Sequence, residues 1–385
     1  MPNPAAPTAA PVVAVAANDG WNIVNYRGGL VRALGRAGMR VAVLAPSGPH
    51  DDSIRALGAD FYPVSVSPRG TSPAEDLRTL LAFRRQLKSI RPAAFLGFTA
   101  KPNIYGSIAA RSFGIPVINN ISGLGSTFGR RTMLTRLVMG LYRSALRRSS
   151  VVFFQNPDDR RLFEEAGLVD HDQAELLPGS GIDLDHFAPR VRHGGKSPFT
   201  FLLAARLLWD KGVREYVDAA RRLRSAGAQA RFRILGIVEP ESRAAVPLAQ
   251  LEEWTREGVI EYLGSARDVR PAIAASDCVV LPSYYREGVP RVLLEAAAMA
   301  VPVIATDWPG CREAVEDGET GLLCEPKSAE SLAKAVERIL AMSIDQRRHM
   351  GRAGRAKMER EFAEEIVHRQ YLTALARLGI QGASG

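Results

Sequence analysis

Residues 281–309, LPSYYREGVPRVLLEAAAMAVPVIATDWP, carry two glutamates, Glu287 and Glu295, on either side of a Gly-Val-Pro turn. The run before them, Cys278 to Leu281, is apolar and short, as a buried parallel strand would be. Val292 to Met299 is rich in helix formers and opens behind a proline. Glu287 therefore falls in a strand-to-helix loop and Glu295 inside the helix that follows. One ligand could touch both carboxylates while the backbone amides of Gly288 and Val289, held by Pro290, point at it. A molecule with many hydroxyls and an anionic group would suit such a place. Taken as two isolated acids, the simpler reading is a loop charge and a solvated helix residue.

The whole block decides between these readings. S-x-x-x-E-G-x-P-x-x-x-x-E-A-x-A-x-x-x-P-V-I-A-T, read from Ser283 to Thr306, resembles the signature of retaining family-4 glycosyltransferases. In that family the first glutamate hydrogen-bonds the donor sugar and the second holds the nucleotide ribose, roles that the resemblance gives to Glu287 and Glu295. A second segment, LAARLLWDKGVREY from Leu203 to Tyr216, resembles the family's R-x-x-x-x-K-G element. Its arginine and lysine, here Arg206 and Lys211, would grip the donor diphosphate. The chemistry asks for such a pair, because breaking a sugar–phosphate bond leaves a diphosphate whose growing charge needs fixed cations in a dry site.

Working outward, the chain alternates short apolar runs with helical stretches. Strands are expected at Val12 to Ala17, Val41 to Ala45, Ala94 to Phe98, Val117 to Asn119 and Val151 to Gln155, with a helix from Arg27 to Gly38. After a polar linker, Pro189 to Ser197, the pattern restarts, with strands at Phe199 to Ala204, Phe232 to Leu235, Ile260 to Leu263, Cys278 to Leu281 and Val303 to Ala305. The expectation is an α/β protein of two facing Rossmann-like domains, each a doubly wound parallel sheet, with a cleft between them: the GT-B fold. Residues 1–190 would bind the acceptor and residues 191–365 the nucleotide sugar. The last helical stretch, Ser343 to Leu378, would by the family resemblance return to the first domain over 366–385.

The chain of 385 residues is 46% hydrophobic and 24% charged, within the range of ordinary globular domains and long enough for two cores. Cys278, Cys311 and Cys324 form no C-x-x-C spacing, which points to core residues in a reducing compartment. The six histidines lack metal-ligand spacing, so no metal and no cofactor are expected. No apolar run is long enough for a membrane span, and the N-terminus lacks the basic start of a secretion signal. Residues 1–150 hold 19 Lys plus Arg against 6 Asp plus Glu, a charge of +13, whereas residues 151–385 hold 31 against 35. This asymmetry favours an anionic partner for the first half. Met133 to Leu146, with Arg130, Arg131, Arg136, Arg143, Arg147 and Arg148 around it, reads either as a core helix with a solvated face or as a basic amphipathic helix at an anionic membrane. Cytoplasmic residence, on the inner face of the plasma membrane, is the expectation.

Three segments follow strands in the first half, where open sheets bind ligands. Asn18 to Gly29 is read as a loop feeding a helix N-terminus, with Arg27 the residue to test. It lacks G-x-G-x-x-G, so a dinucleotide reading is weak. Phe98 to Gly106, with Lys101 and Asn103, and Asn119 to Thr127 look similar to bacterial transferases that extend polyprenyl (undecaprenyl) diphosphate-linked saccharides in O-antigen, capsule or glycoprotein glycan assembly. Thr99, Lys101 and Asn103 stand where many family members carry a histidine, so no catalytic histidine is assigned. Asp183 and Asp185 mimic a metal-binding D-x-D, but their glycine and proline neighbours favour a hinge and cap.

What the resemblance implies is metal-independent transfer, with retention, from a UDP-linked hexose or N-acetylhexosamine to a lipid-linked glycan. Arg206, Lys211 and Glu287 would act in catalysis, and Glu295, Gly288, Val289, Pro290 and Gly264 in donor binding. Gly264 belongs to the loop expected to read the base. Alternatives are a GDP-mannose-dependent mannosyltransferase, a non-hydrolysing sugar-nucleotide epimerase and a non-catalytic sugar-nucleotide binder. Nucleic acid is not an expected partner, for want of an aromatic stacking series among the arginines.

Overall fold

The computed structural model describes residues 10–66, 72–124, 133–190, 198–242 and 244–382. The chain forms two compact units: 1–180 together with 364–385, and 181–363.

The first unit is built on a seven-stranded sheet in the order β3-β2-β1-β4-β5-β6-β7. Its strands are β1 Val12–Ala16, β2 Arg40–Ala45, β3 Asp60–Pro63, β4 Ala94–Phe98, β5 Val117–Ile121, β6 Val151–Phe154 and β7 Ala174–Leu176. All neighbours pair in parallel. Both faces are covered, so the central strands read as continuous apolar runs: Val13 and Val15 enter one core layer, Ala14 and Ala16 the other. The strand order reverses between β1 and β4, and the chain following both strands therefore opens at the same edge.

The segment Asn18 to Gly29, read from sequence as a loop, is helical from Gly20. A short turn Gly20–Asn22 runs through a π-helical turn Ile23–Arg27 into the helix Gly28–Arg36. Asp19 supplies the cap, its Oδ1 accepting the Asn22 amide at 2.6 Å. That carboxylate occupies one of the N-terminal donors an external anion would have used.

The second unit carries a six-stranded parallel sheet in the order β10-β9-β8-β11-β12-β13. Its strands are β8 Phe199–Ala204, β9 Ala230–Leu235, β10 Glu261–Tyr262, β11 Cys278–Leu281, β12 Val303–Thr306 and β13 Gly321–Cys324. Along β8, Phe201 and Leu203 face one core layer and Leu202 and Ala204 the other. The order reverses between β8 and β11. The three cysteines are free and buried, as their composition led us to expect.

This unit starts at Gly181, earlier than the boundary at 190 read from the linker composition. The amide of Ile182 donates to Phe362 O at 2.8 Å, and Ile182 pairs with Ala363, which ties the segment to this unit. Residues 191–197 of the expected linker lie outside the described residues. The last helical stretch is interrupted. Ile344–Lys357 and a π-helical turn Met358–Phe362 belong to the second unit, and Glu364–Arg377 belongs to the first. The latter packs Val367, Tyr371, Ala374 and Leu375, at helical spacing, into the core layer that holds Val13 and Val15.

Candidate active site

The donor motifs converge at the reversal point of the second sheet. β8 ends at Ala204 and runs into Arg206. A short 3-10 turn, Trp209–Lys211, then leads into the helix Val213–Ser225. Gly212 makes this junction possible, because its φ is +76° and an added Cβ would collide with Pro282 O. Pro282 is the first residue after β11, so the two strand ends are held against each other. Further contacts lock them: Tyr284 N donates to Asp210 O at 2.9 Å, and Thr306 Oγ1, from the end of β12, donates to Ser283 O.

The loop so fixed presents Glu287. Lys211 Nζ donates to Glu287 Oε1 at 2.5 Å, and Ser283 Oγ donates to the same oxygen at 3.2 Å. The Lys211 side chain is 7% exposed and that of Glu287 20%, so this ion pair is largely withdrawn from water yet open on the carboxylate side. Arg206 pairs with Glu239, Nη1 to Oε1 at 3.6 Å. The ring of Tyr285 lies beside both cations, 5.2 Å from Lys211 Nζ and 5.9 Å from Arg206 Cζ.

The helix Arg291–Ala298 begins just beyond, capped at Pro290. Glu295 lies one turn inside it and accepts from Arg291 Nε at 3.1 Å. Burial pushes its carboxyl above the usual range, against the pull of Arg291. Gly310, with φ +91°, lets the chain after β12 pass against Glu287 and Gly288, since a Cβ there would overlap Gly288 O. Burial likewise raises the Cys311 thiol, which sits beneath Glu287 as a packed, protonated side chain. Gly264 also has positive φ, +73°, but its carbonyl already accepts from Gly236 N at 2.8 Å. Gly264 therefore shapes its loop, and its carbonyl is engaged within the fold.

In the first unit the predicted acceptor-side residues do not act alike. Arg27 is buried beneath the ring of Phe98, its Cζ 4.2 Å from the centroid. Lys101 is tied to Asp76, Nζ to Oδ1 at 2.9 Å. Asn103 is 1% exposed and takes part in a closed network. It donates to Asn120 O at 2.8 Å and accepts from Asn119 at 2.9 Å, while Asn119 also reaches Ser107 and Ser149. Asn103 thus sets the ends of β4 and β5, and any influence on a ligand passes through them. Thr99, with φ +65°, accepts from Asn18 N at 3.1 Å and joins the ends of β1 and β4. Gly125, Ser126 and Thr127 lie outside the described residues. Asp183, the first acid of the D-x-D mimic, caps its own turn, its Oδ1 accepting the amides of Asp185 and His186 at 3.1 and 2.8 Å.

Sequence reasoning gave no role to Ser283, Tyr285 and Thr306, although all three lie within the quoted block, nor to Gly310 just beyond it or Glu239 far from it. Their roles depend on which strand ends are neighbours, and no local pattern encodes that.

The structure is thus two parallel-sheet α/β units, with Lys211 paired to Glu287 and Arg206 beside the same tyrosine ring at a sheet reversal. Residues 198–342 match the sequence model described as "Glycosyl transferases group 1", and residues 23–179 that described as "Glycosyl transferase 4-like domain". The chain belongs to this glycosyltransferase family. It is 26% identical over 376 residues to N,N'-diacetylbacillosaminyl-diphospho-undecaprenol alpha-1,3-N-acetylgalactosaminyltransferase of Campylobacter jejuni, covering 93% of this chain and 96% of that one. It is 25% identical over 301 residues to UDP-Gal:alpha-D-GlcNAc-diphosphoundecaprenol alpha-1,3-galactosyltransferase of Escherichia coli, covering 75% and 76%. Among solved structures, Anabaena HepE in complex with UDP and glucose superposes with a TM-score of 0.78 at 18% identity, over 94% of this chain and 99% of that one. That likeness establishes the GT-B fold.

Proposed function

We propose that the protein transfers a hexose or N-acetylhexosamine, with retention, from a UDP-linked donor to a lipid-linked glycan during assembly of a cell-surface polysaccharide or glycoprotein glycan. The observation that carries this reading is the pairing of Lys211 with Glu287 beside Arg206 at the β8–β11 reversal. Arg206 and Lys211 bind the diphosphate, Glu287 the sugar and Glu295 the ribose. The acceptor hydroxyl attacks the anomeric carbon from the face the diphosphate is leaving. The carbon–oxygen bond to phosphate breaks with its electron pair going to the phosphate, and that oxygen takes the acceptor's proton. No protein nucleophile and no metal is required, and the two cations stabilise charge as it develops. The undecaprenol-linked acceptors named for the two relatives support the acceptor class.

A lipid-linked acceptor must be met at a bilayer, and we propose that the basic first unit provides that contact from the cytoplasmic side. Among the described residues no helix is long and apolar enough to cross a membrane. The helix Met133–Leu146 exposes Arg136 and, at 57%, Leu137, with Arg147 and Arg148 exposed just beyond its end. Arg143, expected to share this role, donates instead to Ala166 O and Gly167 O. Arg130 and Arg131 lie outside the described residues.

The test is a thermal-shift and calorimetry panel of UDP, GDP, ADP and dTDP without metal, on the parent and on Glu295→Ala. A ligand at 100 times its dissociation constant adds about 2.7 kcal/mol of stability. Stabilisation by UDP that Glu295→Ala abolishes supports the donor assignment. GDP in place of UDP moves the reading to a mannosyltransferase, and no nucleotide binding overturns it. Transfer to polyprenyl-diphosphate saccharides then tests the acceptor class.

A further inference from the structure

Arg206 and Lys211 serve one anion only if both point to the same place, yet the unliganded geometry contains forces that separate them. They repel one another as like charges. Each also has its nearest carboxylate on a different side, Lys211 at Glu287, 2.5 Å away, and Arg206 at Glu239, 3.6 Å away, with Glu287 adding a weaker pull on Arg206. Those carboxylates lie on different elements, Glu239 after β9 and Glu287 after β11. One group meets both cations: the ring of Tyr285, with Lys211 Nζ 5.2 Å and Arg206 Cζ 5.9 Å from its centroid. Both distances fall within the range over which a ring quadrupole attracts a cation.

Tyr285 is itself held firmly. Its amide donates to Ser283 Oγ at 3.3 Å and its carbonyl accepts from Glu287 N at 2.9 Å. Ser283 in turn is fixed by Thr306, and the neighbouring Tyr284 amide by Asp210 O. The backbone of Tyr285 is therefore anchored to the loop that carries Glu287, and its side chain also hydrogen-bonds Arg206.

We propose that Tyr285 is a positioning residue that keeps Arg206 and Lys211 converged on the diphosphate site before the donor arrives. This rests on the donor-site reading above and extends it, since neither motif assigns Tyr285 a role. The ring lowers the cost of bringing two positive charges together in the empty site. When a diphosphate binds, its charge takes over that task and the cations need little movement. The benefit consequently grows with the number of phosphates on the ligand and is nearly absent for the nucleobase and ribose.

The experiment measures dissociation constants of UDP and UMP, and of GDP and GMP, for the parent, Tyr285→Phe and Tyr285→Leu, with circular dichroism to verify folding. Tyr285→Leu should weaken the nucleoside diphosphate about 5- to 10-fold, in the range expected for two partly desolvated cation–ring contacts. The monophosphate of the same nucleoside should change less than about 2-fold, and Tyr285→Phe, which keeps the ring but loses the hydroxyl that hydrogen-bonds Arg206, should restore most of the diphosphate binding. Equal loss of mono- and diphosphate in Tyr285→Leu would show that the ring only supports the loop, and would overturn the proposal. So would unchanged diphosphate binding. Failure of the parent to bind any nucleoside diphosphate overturns the donor-site reading itself and this proposal with it.

Discussion

Lys211 Nζ and Glu287 Oε1 lie 2.5 Å apart although 76 positions separate them in the chain. The contact exists because β8 and β11 are parallel neighbours, Cys278 opposite Phe201 and Val279 opposite Leu202, so both strands deliver their following loops to the same edge. A cation and a carboxylate that the donor would need are thus already paired in the folded chain.

Truncating Lys211 to Ala should therefore damage both function and fold. Loss of a preorganised charge partner predicts a fall in turnover of roughly 10²-fold or more. Leaving the largely buried Glu287 carboxylate uncompensated should also cost about 1–3 kcal/mol, below the full buried-pair value because Glu287 retains some solvent. Urea denaturation alongside transfer assays separates the two effects. Near-normal transfer by Lys211→Ala would show that the assignment is wrong.

Two glycines with positive φ should respond unequally to alanine. Gly310→Ala adds backbone strain and a collision with Gly288 O, so a loss of about 2 kcal/mol or more and weakened donor binding are expected. Gly264→Ala meets no atom within 4 Å, so only the conformational cost, about 1 kcal/mol, applies. Melting curves that rank the two the other way round would contradict this.

The His368 imidazole, buried near Arg36 and Arg32, is lowered to about 4. Glu364 and His368 both approach Gly29, and Arg36, Glu365 and Arg369 line the groove that His368 enters. Since this base has a lower pKa folded than unfolded, the unfolded chain takes up the proton first as pH falls. Stability should accordingly decline between about pH 6.5 and pH 4, by up to about 3 kcal/mol from this group. In His368→Asn that part of the acid dependence should vanish, which denaturation at a series of pH values would reveal.

Asn103→Leu should destabilise the first unit without touching the donor site. It strands buried amide partners on Asn119 and Asn120, for an expected cost of about 2–4 kcal/mol. Nucleotide affinity of the folded fraction should remain that of the parent. A stability change below 0.5 kcal/mol, on the order of a surface substitution, would show the network to be dispensable.

The central strands were legible because they are buried on both faces and spelled as continuous apolar runs. Ala94 to Phe98, Phe199 to Ala204 and Cys278 to Leu281 begin and end where the sequence places them. The strands that escaped, β3, β7 and β13, all stand at sheet edges. An edge strand is short and half covered, so Asp60–Pro63 and Ala174–Leu176 carry too few apolar residues to stand out. The helical start at Gly20 was hidden for a different reason, because glycine and asparagine signal a turn unless the Asp19 cap is recognised.

By itself the sequence determined the alternation of strand and helix, the two sheets and the positions of Arg206, Lys211, Glu287 and Glu295, since periodicity and motif spacing are local properties. Which of these touch was decided by strand order. The reversal at β8–β11 pairs Lys211 with Glu287, places Tyr285 beside both cations and requires glycine at 212, while the loop after β12 requires glycine at 310. The same kind of reversal in the first sheet buries Arg27 under Phe98 and withdraws Asn103 into a closed network. Burial and partnership depend on residues far apart in the chain, and only the folded sheets bring those residues together.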